Sequence, residues 1–492
     1  MTDSSKSPES PKSPRKYGHW IDGAWHAPEQ GHYQITDPAT EEVVGHAPEG
    51  HAAEVWTAAR AARTAFHDWS RADPRERAAV LERIGALISE RADELVPLVR
   101  AETGATTRVA RSLHVLAAAD CFRRTARAVR ESGTAALAPH PVAASPLADG
   151  GLIGAAAVRR PLGVVACITS HNFPVAQLVG MVAPALAMGN TVVAKPAPQD
   201  PLGFLELGPI LKEAGLPDGV FNVVVGSGPI TNEAVIAHYD IDLVGFSGSA
   251  AVGKRIAVSA SGQLKRAVLE LGGKGTAVVL EDADEQALES AIRTAGLAFS
   301  LHSGQTGTAP ARMLVHRTLY GKAVDALTTY ARSATVGSPA DDSTVVGPLI
   351  SDAQRDRVEA YVEDARRQGA RITTGGDRPQ IKPGFYAAPT VLADVTPDMP
   401  IALEEISGPV VAVIPFDDEA EAVRIATRTP TALHDYVFSA DPTHARHLAT
   451  RLRSANVGVN TAQQHPETPV VPDCGPFGSH GYSEAQSITW RA

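Results

Sequence analysis

From Gly163 onward the chain repeats one pattern, a short unbroken apolar run followed by a stretch with helical spacing. The runs at 164–169, 191–194, 220–225, 242–246 and 267–271 do not alternate between apolar and polar residues, as strands with one wet face would. Strands apolar on both sides must be covered on both sides, so these five are expected to form a parallel sheet between helices at 174–188, 202–214, 231–237 and 251–259. Ligands of such sheets sit beyond the C-terminal ends of the strands.

A second alternating block follows. Strands are expected at 276–280, 312–316, 387–392, 410–416 and 436–438, with helices at 285–298, 321–332, 352–368, 419–428 and 443–453. Gly272-Gly273 reads as a hinge between the two units. Upstream, Trp20-Ile21-Asp22-Gly23 and Asp37-Pro38-Ala39-Thr40 suggest a short hairpin-containing entry. Residues 52–69 and 74–100 space apolar positions at three and four, with Val80, Leu81, Ile84, Leu87, Ile88 and Leu95 on the second face. A further helix is expected over 111–130, and the Pro/Ala/Gly-rich stretch 135–157 reads as a linker or extended arm. There is no internal repeat.

At 492 residues the chain is too long for one simple core, and two or three packed units are expected. A formal charge of −10 argues against a nucleic-acid binder, which would show basic clustering. Cys121, Cys167 and Cys474 are scattered and too few for a disulfide framework, which fits a reducing, cytoplasmic setting. Residues 1–16 are rich in Ser, Pro and Lys without an apolar segment, so they read as a disordered tail rather than a signal peptide. The apolar stretch 173–194 is interrupted by Gln177, Pro184, Gly189 and Asn190, which favours a buried helix and strand over a membrane span. No metal-ligand cluster is visible, and lone histidines do not make one.

Two stretches stand out chemically. Leu269-Glu270-Leu271-Gly272-Gly273 sets a carboxylate at the end of a strand, and Ser303-Gly304-Gln305-Thr306-Gly307-Thr308-Ala309-Pro310 forms a polar, glycine-containing loop. Together they make a candidate acid/base site on rigid supports. Phe246-Ser247-Gly248-Ser249-Ala250-Ala251-Val252-Gly253-Lys254 sits where a strand ends and a helix starts, and its small residues would let a dinucleotide phosphate approach the backbone. By itself a glycine-rich turn of this kind is more often merely a turn.

Four further stretches change that weighting: Ile168-Thr169-Ser170-His171-Asn172-Phe173-Pro174, Val193-Ala194-Lys195-Pro196-Ala197, Leu269-Glu270-Leu271-Gly272-Gly273-Lys274, and Glu404-Glu405-Ile406-Ser407-Gly408-Pro409-Val410. With the polar loop and Asn460, their order and spacing resemble those of the aldehyde dehydrogenase superfamily, over about residues 20–477. The resemblance implies an α/β fold in three parts. A Rossmann-type cofactor domain would cover 17–138 and 162–273, a catalytic α/β domain 274–465, and a β oligomerisation arm 139–161 and 466–492.

It also implies roles for individual residues. Asn172 resembles the oxyanion donor, a side-chain amide aimed at the oxygen where charge develops. Glu270 resembles the general base. Lys195 is similar to the lysine that grips the adenosine ribose, and Glu405 to the carboxylate that holds the nicotinamide ribose. Gly248, Ser249 and Gly253 are similar to the pyrophosphate turn, with Gly228 on the adenine side and Ile168, Thr169, Phe246 and Leu271 lining the cofactor site. The minority alternative for Asn172 is a helix cap before Phe173-Pro174, whereas Lys195 or Glu405 standing alone would read as a solvated charge. The implied cofactor is NADP or NAD. The implied partners are a small aldehyde or related carbonyl or imine substrate and further copies of the chain, as a homodimer or homotetramer, with neither nucleic acid nor membrane.

One departure dominates. The superfamily loop reads Gly-Gln-x-Cys, whereas Gly304-Gln305-Thr306-Gly307 puts glycine at the cysteine position. The thiolate there adds to the aldehyde carbon, donates hydride from the adduct and leaves a thioester, none of which glycine can do. Thr306 and Thr308 are poor replacements, Cys167 reads as a buried hydrophobe, and Cys474 lies near the C-terminal arm. Milder departures are Ser170-His171 before Asn172, Ser407 after Glu405-Ile406, and an early chain end that would shorten the last strand. Pro198 stands where NAD-preferring members often carry Glu, so NADP is expected to bind at least as well as NAD. His302 and His434 are possible liners of the substrate path, although packing histidines are commoner. Three functions stay open: altered, non-covalent chemistry on a carbonyl or imine; conventional aldehyde oxidation with Gly307 an engineered or artefactual change; or a non-enzymatic scaffold.

Overall fold

A computed structural model describes residues 14–131, 135–147, 149–429, 433–461 and 478–491. The five apolar runs of the first unit form neighbouring parallel strands in the order Arg266–Leu271, Leu243–Gly248, Val164–Thr169, Thr191–Lys195 and Phe221–Val223. The entry hairpin, His19–Ile21 with Ala24–His26, extends the sheet antiparallel beyond Phe221–Val223. From the central strand Val164–Thr169 the chain builds outward on one side, then crosses back to build on the other. Strand order therefore reverses between Val164–Thr169 and Leu243–Gly248, which opens a crevice at their C-terminal ends.

Burial on both faces explains the unbroken apolar runs. Every residue of Val164–Thr169 and Thr191–Lys195 is buried. Along the central strand the residues sort by parity. Val165 and Cys167 pack into a core with the helices Pro74–Glu90, Leu116–Glu131 and Pro174–Ala187, whereas Val164, Ala166 and Ile168 meet Ala52–Trp69, Pro229–Ala237 and Ala250–Ser261. No helix among the described residues is long and apolar enough to cross a membrane. The stretch 173–194 is the buried helix Pro174–Ala187 followed by a buried strand.

The second unit is also a seven-stranded sheet, ordered Arg371–Thr374, Thr390–Ala393, Val410–Phe416, Arg312–His316, Thr276–Val279, His434–Phe438 and Asn456–Val459. Its edge strands, Arg371–Thr374 and Asn456–Val459, escape the sequence reading because they are only half-buried and carry no apolar run. Within the first unit, 74–100 divides into Pro74–Glu90 and Ala92–Thr103, and 202–214 breaks at Glu206. The start of the 111–130 helix is a π-helical turn, Ala110–Val115. The Gly272-Gly273 pair has no left-handed backbone. Gly272 instead lets the Glu405 carboxyl come close, since a Cβ there would stand 2.2 Å from Glu405 Oε2.

The stretch read as a linker or arm contains two strands, Ala135–Val142 and Gly151–Pro161. The second pairs over its length with the final strand, Ser483–Arg491, from Ser483 opposite Pro161 to Arg491 opposite Ile153. The described part of this strand is nine residues long. The expected tail lies outside the described residues as far as residue 13, but its end is tied down. Arg15 pairs with Glu206 and stacks over Tyr17, and its carbonyl accepts from His46 N at 2.9 Å.

Candidate functional site

The parallel register places the site residues of the first unit. Thr169, Ser247 and Glu270 stand in one row across three adjacent strands, and Lys195, Ile168, Phe246 and Leu269 in the row before it. Because side chains alternate, Ile168, Lys195, Phe246 and Leu271 share the sheet face covered by Pro229–Ala237 and Ala250–Ser261, while Glu270 takes the opposite direction. Ile168, Lys195, Phe246 and Leu271, four of the residues singled out for cofactor contact, therefore lie together on one face, whereas Thr169 shares the opposite face with Glu270, the expected base.

The turn after Phe246 is built for close approach. A Cβ on Gly248 would stand 2.6 Å from the Phe246 ring, and one on Gly253 would stand 2.3 Å from Leu271. Ser249 caps Ala250–Ser261, its Oγ accepting from Val252 N at 3.4 Å. Gly228 caps Pro229–Ala237, and among the described residues no atom stands within 4 Å of where its Cβ would be. Both helices thus present N-terminal N–H groups at the C-terminal edge of the sheet, a setting that favours anions. Thr169 Oγ1 donates to Gln177 Oε1 at 2.9 Å, and Ser170 N donates to Ser247 O at 2.9 Å across the crevice.

Contacts then draw the four distant stretches to one place. Phe173, beside Asn172, lies 5.3 Å from the ring of His302 at the start of the polar loop. A Cβ on Gly304 would stand 2.1 Å from Gly408 O, so the loop rests on the 404–410 stretch. Glu405 of that stretch lies against Gly272, two residues beyond Glu270. The segments that carry Asn172, Glu270 and Glu405 thus meet around the start of the polar loop.

Several of these groups lack partners among the described residues. Asn172 is half-buried with no hydrogen bond, and it is not a cap: Phe173 occupies that position on Pro174–Ala187. The half-buried Glu270 carboxyl has no hydrogen bond either, and burial pushes its pKa up to about 7. Lys195 is 2 % exposed with no hydrogen bond from Nζ; burial lowers its pKa to about 8 against the pull of Glu49 and Asp200. Burial raises Glu405, and Lys274 and Arg357 oppose that rise.

Gly307 differs from the other loop glycine. Gly304 is left-handed at φ +76° and hemmed in by backbone, whereas Gly307 lacks a left-handed φ and, among the described residues, its Cβ direction meets only Leu433 Cδ2, at 3.4 Å. A side chain fits there. The flanking hydroxyls are turned to each other, Thr306 Oγ1 lying 3.0 Å from Thr308 Oγ1, and Tyr436 Oη donates to Thr308 O at 2.9 Å. Cys167 is buried with its thiol pKa pushed up by desolvation; Cys474 lies outside the described residues.

Sequence reasoning missed two features. Lys274 is 1 % exposed with an unpartnered Nζ, its pKa lowered to about 7 by burial and by Arg312. Its Lys-after-Gly-Gly position was visible, but its burial was not. Beside the loop, His114 and His302 pack edge to face at 5.7 Å, and His114 lies 4.9 Å from Phe173. Both nitrogens of His114, both of His302 and Nε2 of His171 are buried without hydrogen-bond partners among the described residues. Burial lowers His114 to about 3 and His171 to about 4, and drives His302 well below the usual histidine range. His114 sits on the π-helical turn and His302 on a left-handed backbone at φ +50°, so neither obeys a simple period. His434 is buried and stacks on Tyr436 at 5.3 Å, beside the loop rather than at the surface.

With this geometry in view, comparison with known proteins is informative. The model of the aldehyde dehydrogenase family matches residues 25–484. A 3-succinoylsemialdehyde-pyridine dehydrogenase of Pseudomonas sp is 35 % identical over 447 residues, 90 % of each chain. A betaine aldehyde dehydrogenase of Sinorhizobium fredii is 36 % identical over 453 residues, 92 % of this chain and 90 % of its own. Among solved structures, a cysteine-to-alanine mutant of aldehyde dehydrogenase C from Pseudomonas syringae, complexed with NAD+ and octanal, superposes with a TM-score of 0.87 at 37 % identity, covering 96 % of each chain.

Proposed function

The chain belongs to the aldehyde dehydrogenase family, and from that premise we propose that it binds a nicotinamide dinucleotide and acts on an aldehyde-derived carbonyl without a covalent thioester. The observation that carries this reading is the combination at the loop: an unpartnered amide on Asn172, an unpartnered carboxyl on Glu270 with a pKa of about 7, and room but no side chain at Gly307.

The residues present fit the cofactor. The unpartnered Lys195 ammonium would hold the adenosine ribose, the Ser249-capped helix the pyrophosphate, and Glu405 the nicotinamide ribose. Such a cofactor supplies a hydride acceptor. The protein's own groups would do the rest. In a hydrated aldehyde, Glu270 takes the proton of one hydroxyl as the C–H hydride departs, leaving the carboxylic acid, and the Asn172 amide donates to the oxygen that gains negative charge. A carboxyl poised near neutrality suits that proton transfer better than an ordinary glutamate. The octanal complex of the cysteine-to-alanine relative supports the view that a missing thiol leaves room for both ligands.

A second reading has one observation in its favour. Nothing in the backbone at Gly307 requires glycine, so a cysteine there would fit a conventional covalent enzyme. Measuring cofactor reduction by the chain as given and by E270Q, over a panel of aldehydes, tests the first reading. Loss of turnover in E270Q is expected; no turnover in either overturns it.

Assembly through the three-stranded arm is part of the proposal. Ile488 at 47 % and Trp490 at 46 % exposed are large apolar side chains on its surface, which supports burial against further copies as a homodimer or homotetramer. Sedimentation showing a monomer at micromolar concentration would refute it. A reducing, cytoplasmic setting agrees with Cys121 and Cys167, which are free thiols.

A further inference from the structure

Glu49 lies in the entry segment, far in sequence from Lys195 and Gly228, yet it is fastened to the cofactor edge of the first sheet. Ser227 N donates to Glu49 Oε1 at 2.9 Å, and Ser227 Oγ donates to Oε2 at 2.5 Å. One residue on, Gly50 O accepts from Thr231 Oγ1 at 2.7 Å, and a Cβ on Gly50 would stand 2.2 Å from Val225 O. Both carboxylate oxygens are therefore held against the segment that leads through Gly228 into Pro229–Ala237, while each keeps accepting capacity for another donor. Lys195 ends the strand that pairs with Phe221–Val223, which places its ammonium on the same edge. Two carboxyl groups act on that ammonium, Glu49 first and Asp200 second. Asp200 is fully buried, and burial raises its pKa far above the usual carboxylate range, whereas Glu49 is only half-buried and is held at the edge by Ser227.

We propose that Glu49 selects the cofactor: its carboxylate, fixed beside Lys195, accepts from the adenosine ribose hydroxyls and repels a 2′-phosphate, so that the chain prefers NAD to NADP. The proposal rests on the reading of Lys195 as the adenosine-ribose lysine. It reverses the expectation drawn from Pro198. The carboxylate missing at 198 is supplied from a part of the chain that no local motif connects with it.

The test is isothermal calorimetry on the full chain with NAD and with NADP, for the chain as given, E49Q and E49D, with thermal melting to confirm folding. The chain as given is expected to bind NAD at least about tenfold tighter than NADP, equivalent to about 1.4 kcal/mol. E49Q, which keeps an acceptor for Ser227, is expected to narrow that ratio about tenfold by gaining affinity for NADP, whereas E49D keeps the preference. Equal ratios in all three folded proteins overturn the role of Glu49 while leaving the cofactor reading intact. An NADP preference in the chain as given overturns the proposal whatever the variants do. Binding of neither dinucleotide overturns both.

Discussion

Alanine at Gly304 and alanine at Gly307 should behave in opposite ways, although the two glycines share one loop. At Gly304 a Cβ would stand 2.1 Å from Gly408 O and 2.5 Å from Ala298 O, both backbone atoms that no rotamer change can move. The residue is also left-handed at φ +76°, which costs a non-glycine residue about 1–2 kcal/mol. With about 1–3 kcal/mol for forcing the packing apart, G304A should lose about 2–5 kcal/mol. Among the described residues, the only atom within 4 Å of a new Cβ at Gly307 is Leu433 Cδ2, at an ordinary contact distance of 3.4 Å, and φ is not left-handed. Restricting the unfolded chain there should stabilise G307A by about 0.4–1 kcal/mol. Urea unfolding followed by circular dichroism measures both variants against the chain as given. If G307A loses as much stability as G304A, the space at position 307 is not a side-chain slot, and the case for an absent nucleophile in an assembled site collapses.

Two further outcomes follow from the buried titratable groups. Because burial raises Glu270 to about 7, turnover that uses it as a base should increase as pH rises through about 7; a flat profile would exclude Glu270 as the base. His114, at about 3, binds fewer protons folded than unfolded between its own pKa and about 6.5, so its contribution to stability is complete above about 6.5 and is lost as pH falls below it. H114L should flatten the acid limb of the stability curve by up to about 1.4 kcal/mol per pH unit, and an unchanged limb would show that His114 is solvated.

The central strands were legible because burial on both faces leaves a mark in sequence: Val164–Thr169 and Thr191–Lys195 lie where their apolar runs lie. Arg371–Thr374 and Asn456–Val459 were not, because a half-exposed edge strand gets its order from its neighbour's hydrogen bonds rather than from its own apolar residues. The same applies to the arm, where Ala135–Val142 and Gly151–Pro161 read as linker until paired with Ser483–Arg491. Glu270, Lys195 and Glu405 were found because they sit inside recognisable local contexts at strand ends and loops. Burial of single charges was invisible. Arg312, inside an apolar run, is fully buried and donates to Thr276 Oγ1 at 2.8 Å, Ala402 O at 3.0 Å and Ala426 O at 2.9 Å, partners that only the fold supplies. Glu49 and the His114–His302 pair were missed for the same reason: each works through contacts between segments distant in sequence.

The most direct measurement is cofactor reduction under single-turnover conditions, with an aldehyde panel and both dinucleotides, for the chain as given, G307C and E270Q, each before and after thiol alkylation. If the amide, the carboxyl and the cofactor contacts act without a thiol, the chain as given turns over, E270Q does not, and alkylation changes neither. Turnover confined to G307C and abolished by alkylation, with none in the chain as given, would contradict that claim and leave a dehydrogenase disabled at one residue.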